Sequence, residues 1–352
     1  METILLLAHT EPDGALAKPA LECLTAALAL GGPLIVGLVG ARVEAAASQT
    51  AGCGATRFLA VDGERFAQPR YSTDAAAAEA LCRTAGAAIV MAASTSRWAR
   101  ALPGVAYRLG GRIDTHATGV AFRLGGRIDT HATGIAIQNG VPAVTRWFYR
   151  QRMEAVLTRS QRPWLILLDA GCVAPWSGGP RDAAVEAIDV PAVEARTTVT
   201  GTRSPEAGEE TIRPDAKLLF VAGAGWTKKQ SDGATHTAEA EKLILDFLRA
   251  SQASLGGSKS LVDLSGEGEA VLRFMTHLNQ IGQTGATPRH PKGLSTCCHG
   301  EEPHAVGWRF IGQRRAVNLD PNCGWARGKA DVLYVADAFE VMRQVNALLV
   351  QD

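Results

Sequence analysis

A chain of 352 residues, 46% hydrophobic and 20% charged, is long enough for two domains with a core in each. Its formal charge of +1 sets up no global field, so neither nucleic acid nor an anionic membrane surface is expected as a partner. No apolar run reaches the roughly 18–20 residues of a bilayer span, which predicts no membrane insertion.

Residues 4–9 (Ile-Leu-Leu-Leu-Ala-His) read as an opening strand, without the basic start of a signal peptide. Residues 17–30, rich in Ala and Leu, predict a helix ending at Gly31-Gly32. Strands follow over 34–39, 57–61 and 87–92. Helices are expected over 42–51 and 73–84, the latter capped by Ser72 or Thr73. The small apolar residues of 87–92 point to burial on both faces. This rhythm predicts an α/β fold with a mostly parallel sheet between layers of helices. Seven cysteines, an odd number with no Cys-x-x-Cys, fit a reducing compartment and predict a cytoplasmic protein.

The rhythm then breaks. Residues 108–119 recur unchanged as 123–134. Two copies of so short a unit do not make a solenoid, and His116, His131, Asp114 and Asp129 lack metal-ligand spacing, so a local duplication is expected. Strand patterns return over 142–150, 155–157 and 164–169, before a turn-rich stretch at 177–182. The polar, charged residues 194–213 read as a linker. Two α/β domains are predicted, 1–213 and 214–352.

In the second domain a strand over 217–221 runs into Gly223-Ala224-Gly225, and a helix is expected over 237–250. Glycines after a strand let the backbone approach a phosphate, although Lys228 leaves the Gly-x-Gly-x-x-Gly pattern incomplete. A denser signal is Gln280-Ile281-Gly282-Gln283-Thr284-Gly285. Two amides, a hydroxyl and two glycines in six residues suit a flat polar ring or a pyrophosphate. Gly293-Leu294-Ser295 is expected to precede a helix start, strands follow over 315–317 and 332–335, and a helix over 339–349 closes the chain. Cys297, Cys298, His299, His304 and Cys323 match no common metal pattern and read as pocket lining. Trp226, Trp308 and Trp325 lie near these loops, where each is read as a stacking surface or as core. Lys228-Lys229 reads as a solvated pair.

Taken in order, these segments resemble electron-transfer flavoprotein α subunits. That family carries Gly-Ala-Ser-Arg followed by Ala-Val-Asp, a Gln-Val-Gly-Gln-Thr-Gly loop, Gly-Ile-Ser-Gly-Ala-Ile-Gln-His, Ile-Asn-Lys-Asp-Pro and a late Ala-Asp. Here stand Gly256-Gly257-Ser258-Lys259, Leu261-Val262-Asp263, the loop at 280–285, Gly293-Leu294-Ser295, Val317-Asn318-Leu319-Asp320-Pro321 and Ala336-Asp337. The resemblance spans residues 217–346, with a looser likeness in the first half.

It implies a Rossmann-like second domain binding FAD, in an electron carrier rather than a substrate-converting enzyme. The implied partners are a β subunit, docked on the first domain in a heterodimer, and a flavin-dependent dehydrogenase that supplies electrons for a downstream acceptor. Carried over by residue, Ser258 and Lys259 would approach the isoalloxazine, Lys259 bringing positive charge to its pyrimidine end. Gln280, Ile281, Gly282, Gln283, Thr284 and Gly285 would form the loop beside the ring, with Thr284 near N5. Gly223 and Gly225 would flank the cofactor. Gly293, Leu294 and Ser295 would offer helix N-terminal amides to the phosphates or ribityl chain, with His299 following. Asn318 and Asp337 would hold the adenosine half. Departures are specific. The family's Arg is Lys259, its Gly-Arg-Gly is Gly223-Ala224-Gly225, and its His falls one residue early at His299. They define the alternative, a paralogue that keeps the fold as a structural subunit without flavin.

Overall fold

The computed structural model describes residues 1–109, 127–148, 153–194, 196–201, 212–213, 216–263, 271–281, 290–296, 311–322 and 330–350. The chain divides into two compact units, Met1–Thr202 and Arg203–Asp352.

The first unit is built on one nine-stranded sheet. Its strands are β1 (Ile4–His9), β2 (Leu34–Gly40), β3 (Arg57–Asp62), β4 (Ile89–Ala93), β5 (Arg127–Gln138), β6 (Val141–Phe148), β7 (Met153–Leu157), β8 (Trp164–Leu168) and β9 (Val185–Ala187). They lie in the order β7-β6-β5-β8-β4-β1-β2-β3-β9. Pairing is parallel from β5 across to β9, and β6 and β7 add an antiparallel edge. The helices are α1 (Lys18–Leu28), α2 (Val43–Thr50), α3 (Glu64–Ala67), α4 (Tyr71–Ala85) and α5 (Ser96–Arg108). Successive side chains of β1 point to opposite faces and so serve both helical layers. Ile4, Leu6 and Ala8 pack with Cys23 and Leu24 of α1. Leu5 and Leu7 pack with Leu81 of α4 and with Trp98 and Leu102 of α5.

Several sequence expectations need correction here. Helix α4 begins before the expected caps: Arg70 is its N-cap, and Thr73 lies in the first turn, donating from Oγ1 to the Arg70 carbonyl at 3.3 Å. Helix α5 was not expected from the sequence and carries Pro103-Gly104 within it. Its buried residues Trp98, Ala101, Leu102, Val105 and Ala106 nevertheless fall at the helical period, and Thr95 caps it by accepting from Trp98 N. Gly104 lies against Tyr71, whose hydroxyl occupies the space a Cβ would take. Strand β5 was also unforeseen. It contains the last eight residues of the second repeat copy and turns into β6 through Asn139-Gly140, both at positive φ, as a two-residue hairpin demands. The first copy lies outside the described residues beyond Leu109.

The second unit has a five-stranded, all-parallel sheet: β10 (Leu218–Ala222), β11 (Ser254–Gly257), β12 (His290–Thr296), β13 (Ile311–Asn318) and β14 (Val332–Val335), in the order β11-β10-β12-β13-β14. Its helices are α6 (Thr237–Ser251), α7 (Lys259–Asp263) and α8 (Ala338–Leu349). Phe220 and Ala222 pack against Ile244 and Phe247 of α6 and Phe339 and Met342 of α8.

Both units enter their first helix through the same turn. In the first, Glu11 N donates to Ala15 O at 2.9 Å, Gly14 N to Glu11 O at 2.8 Å and Ala15 N to Asp13 Oδ1 at 3.0 Å. In the second, Gln230 N donates to Ala234 O at 2.9 Å, Gly233 N to Gln230 O at 2.9 Å and Ala234 N to Asp232 Oδ1 at 2.9 Å. Gly14 and Gly233 sit at φ +88° and +79°. The shared Asp-Gly-Ala is visible in the sequence once the turn is known.

Candidate functional site

In the second sheet the chain leaves the interior strand β10 to β11 on one side and reaches β12 on the other. The loops therefore diverge above the carboxyl ends of β10 and β12, where open α/β sheets bind ligands. Buried polar residues gather at this edge. Thr227, Ser258, Asn279, Gln280, Ser295, Thr296 and Asn318 are each at most 7% exposed. Buried polar groups are the informative exceptions to an apolar interior, and these are all uncharged.

The turn after β10 comprises Gly223 and a 3-10 turn, Ala224–Thr227, whose residues are all buried. Gly223 N donates to Thr296 O at 2.9 Å. Trp226 is fully buried 4.6 Å from the Phe339 ring and donates from Nε1 to Thr296 Oγ1 at 2.9 Å, so it is core rather than an exposed stacking surface. Gly225 O accepts from Gln230 Nε2 at 3.0 Å. Lys228 and Lys229 are exposed.

Ser258 follows β11, its amide donating to Ala222 O at 2.9 Å and its hydroxyl accepting from Leu261 N at 3.2 Å at the start of α7. Lys259 is the first residue of that helix and is exposed. Gln280 bridges Gly257 in parallel, and Ile281 N donates to Gly257 O at 3.1 Å, which brings both loop residues beside the end of β11. Ser295 is fully buried near the end of β12, and Asn318 closes β13, its Oδ1 accepting from Asp320 N at 3.2 Å. Asp337 is the N-cap of α8 and accepts from Glu340 N at 3.1 Å.

One expectation changes. Gly293, Leu294 and Ser295 are not at a helix N-terminus but inside β12, paired with β10 on one side and β13 on the other. Their amides face ladder partners, and Gly293 lies three residues back from the strand end, about 10 Å at strand rise. Gly282, Gln283, Thr284, Gly285 and His299 lie outside the described residues, as do Cys297, Cys298, Cys323, His304, Trp308 and Trp325. Sequence reading missed Thr296, Thr227 and Asn279, which carry no motif and become visible only through burial.

The donor set suits a neutral, flat heterocycle with a sugar chain: hydroxyls, primary amides and one nearby lysine. The isoalloxazine ring and ribityl chain of FAD fit that chemistry. Gly256 and Gly257 do not leave room for it, because a Cβ on Gly256 would meet Ile281 Cγ1 at 2.8 Å, and Met275 Cε occupies the corresponding space at Gly257. Those glycines accommodate the chain's own side chains.

The matching edge of the first sheet is different, being charged and self-paired. The order reverses between β1 and β4, and His9, ending β1, lies 6.0 Å from the Trp98 ring. Burial, with the Arg97 charge second, pushes the His9 imidazole down to about 4. Arg97 is buried against Asp74, whose carboxyl is raised by desolvation despite the guanidinium. A cavity of about 710 Å³ in this unit lies at the opposite, amino end of β1 and β4, lined by Ile4, Ile89, Ile137 and Val141 and by an Arg162–Glu2 ion pair. It is remote from the carboxyl edge of its own sheet. Among the described residues no group of three His, Cys, Asp or Glu is placed to hold a metal ion, and no helix is long and apolar enough to cross a membrane.

Doubly wound sheets with a polar crevice at the strand reversal define a class of nucleotide- and flavin-associated proteins. The electron transfer flavoprotein domain model matches residues 4–195, more than half of the chain, and the chain belongs to that family. The match falls within the first unit, whereas the motif resemblance lies in the second, so the two rest on different residues. No curated protein matches the chain.

Proposed function

We propose that the chain is the α subunit of an electron-transfer flavoprotein, holding FAD at the carboxyl edge of the second sheet. The observation that carries this reading is the set of buried, uncharged polar residues at the β10/β12 reversal, in a chain of this family. Bound FAD would supply the redox chemistry, accepting and releasing electrons, and the protein would supply binding, orientation and electrostatics. Ser258 and Gln280 would lie on the ring side of the cofactor, Ser295 toward its phosphates or ribityl chain, and Asn318 on the adenosine side. Lys259 would place positive charge where reduction makes the flavin more negative, an attraction that strengthens as water is excluded. The proposed partners are a β subunit docked on the first domain, residues 1–213 in this reading, and a flavin-dependent dehydrogenase as donor. The compartment proposed is the cytoplasm.

The paralogue reading, a structural subunit without flavin, is favoured by Ala224 in place of the family's arginine and by the filled space above Gly256 and Gly257. An absorption spectrum of the chain co-expressed with its partner separates the two. Visible flavin bands near one per chain, bleached by dithionite, support the carrier. A folded, colourless complex that takes up no added FAD overturns it in favour of the structural subunit.

A further inference from the structure

The two copies of the Asp-Gly-Ala turn differ in how the chain reaches them. In the first unit β1 ends at His9, and Thr10 already pairs with Leu16 in the turn. In the second unit β10 ends at Ala222, and the equivalent pairing is Lys229 with Thr235. Residues 223–228 therefore have no counterpart in the first unit, and they sit at the strand reversal. The first unit ties its turn toward β2, with Thr10 Oγ1 donating to Ala41 O at 2.9 Å. In the second unit the extra residues tie to β12 instead, and Thr296 receives the connections. Its carbonyl accepts from Gly223 N, its hydroxyl accepts from Trp226 Nε1, and that hydroxyl donates to Val221 O at 3.3 Å. Each link spans the gap between the turn or strand of β10 and the end of β12.

We infer that Trp226 and Thr296 are positioning residues that fix the turn at residues 223–228 over the strand ends. This rests on the proposed FAD site. The chain of donors runs from the indole N–H through the Thr296 hydroxyl to the Val221 carbonyl, and it holds the turn at a fixed height over the strand ends. The indole is anchored from behind by Phe339, so the turn cannot swing without pulling a buried ring out of the core. Neither side chain needs to touch the cofactor. Both set where the backbone of Gly223–Gly225 and the neighbouring Ser295 lie relative to it.

The test uses the full-length chain with its co-purifying subunit and titrates FAD by flavin fluorescence, with the visible circular dichroism of bound flavin as a second reading. Thr296→Val removes the acceptor at constant shape, Trp226→Phe removes the donor but keeps a ring against Phe339, and Thr296→Ser keeps the hydroxyl. The first two are expected to weaken FAD by about tenfold each, with the double variant little worse than either, because they break one link. Both should alter the dichroism band, and Thr296→Ser should stay within about twofold of the parent. If Thr296→Val does not fold, Trp226→Phe and Thr296→Ser decide. Variants that bind FAD as the parent does, with the same dichroism, overturn the positioning role and leave the cofactor assignment standing. A parent protein that binds no FAD overturns both.

Discussion

Arg97 lays Nε and Nη2 on a single carboxylate oxygen of Asp74, at 3.0 and 2.7 Å, with both side chains almost entirely buried. The same guanidinium also donates to the Phe66 carbonyl, and Arg100 approaches the second Asp74 oxygen at 3.6 Å. The pair joins α4 to α5 and to the end of α3. Breaking one side leaves a buried charge uncompensated, which costs far more than the pair itself contributes. Asp74→Asn should therefore destabilise the protein by about 3–5 kcal/mol, and Asp74→Leu combined with Arg97→Met should recover much of that loss. Urea denaturation of the three variants checks this; equal losses in the single and paired variants would show that the ion pair itself stabilises the fold.

His9 gives a pH dependence with a definite sign. Its folded pKa is about 4 against an ordinary 6.5, so between those values the unfolded chain binds a proton that the folded chain refuses. The contribution is fully present above pH 6.5 and is lost as the pH falls through 4, by on the order of 3 kcal/mol. His9→Gln should flatten that part of the stability profile. Urea midpoints measured at pH 7.5 and 4.5 for both proteins are the check, and parallel declines would refute the role of this imidazole.

Burial raises the Cys23 thiol and pushes the Cys82 thiol up to about 12, so neither supplies thiolate at neutral pH. Native-state alkylation followed by peptide mapping should leave both unmodified, while the half-buried Cys172 reacts. Rapid labelling of Cys82 would mean that α4 opens locally.

The twin turns allow a matched comparison. Alanine at Gly233 meets nothing within 4 Å and faces only the positive φ, whereas alanine at Gly14 also meets Arg42 Cβ and the Arg42 carbonyl at 2.9 Å. Gly233→Ala should cost about 1 kcal/mol, the penalty of a left-handed residue, and Gly14→Ala clearly more. Thermal midpoints of the two variants test the difference.

Gly256→Ala should overpack the junction of β11 with Ile281, at about 1–3 kcal/mol, and Ile281→Val in the same chain should relieve part of it. If Gly256→Ala is silent, the loop around Ile281 yields freely, and its hold on the end of β11 is weaker than its amide bond to Gly257 implies.

The local code determined much of the architecture. Apolar runs such as 4–9 and 34–39 and the Ala-rich stretch at 17–30 are strand and helix by composition and period, and each appears within a few residues of its expected place. The amides and glycines of the loop at 280–285 marked Gln280 by their own chemistry, whereas Ser258 and Asn318 were marked only by the family resemblance. What depends on distant partners was not legible. Helix α5 persists through Pro103-Gly104 because its apolar face packs on the sheet and Tyr71 fills the space above Gly104. Gly293, Leu294 and Ser295 look like a loop before a helix, yet they are a central strand because β10 and β13 flank them and take up their backbone bonds. Thr296 is an unremarkable residue in the sequence, 70 positions from Trp226. Only the parallel pairing of β10 with β12 brings its hydroxyl to the indole, since hydrogen-bond geometry is set by the fold and not by proximity along the chain.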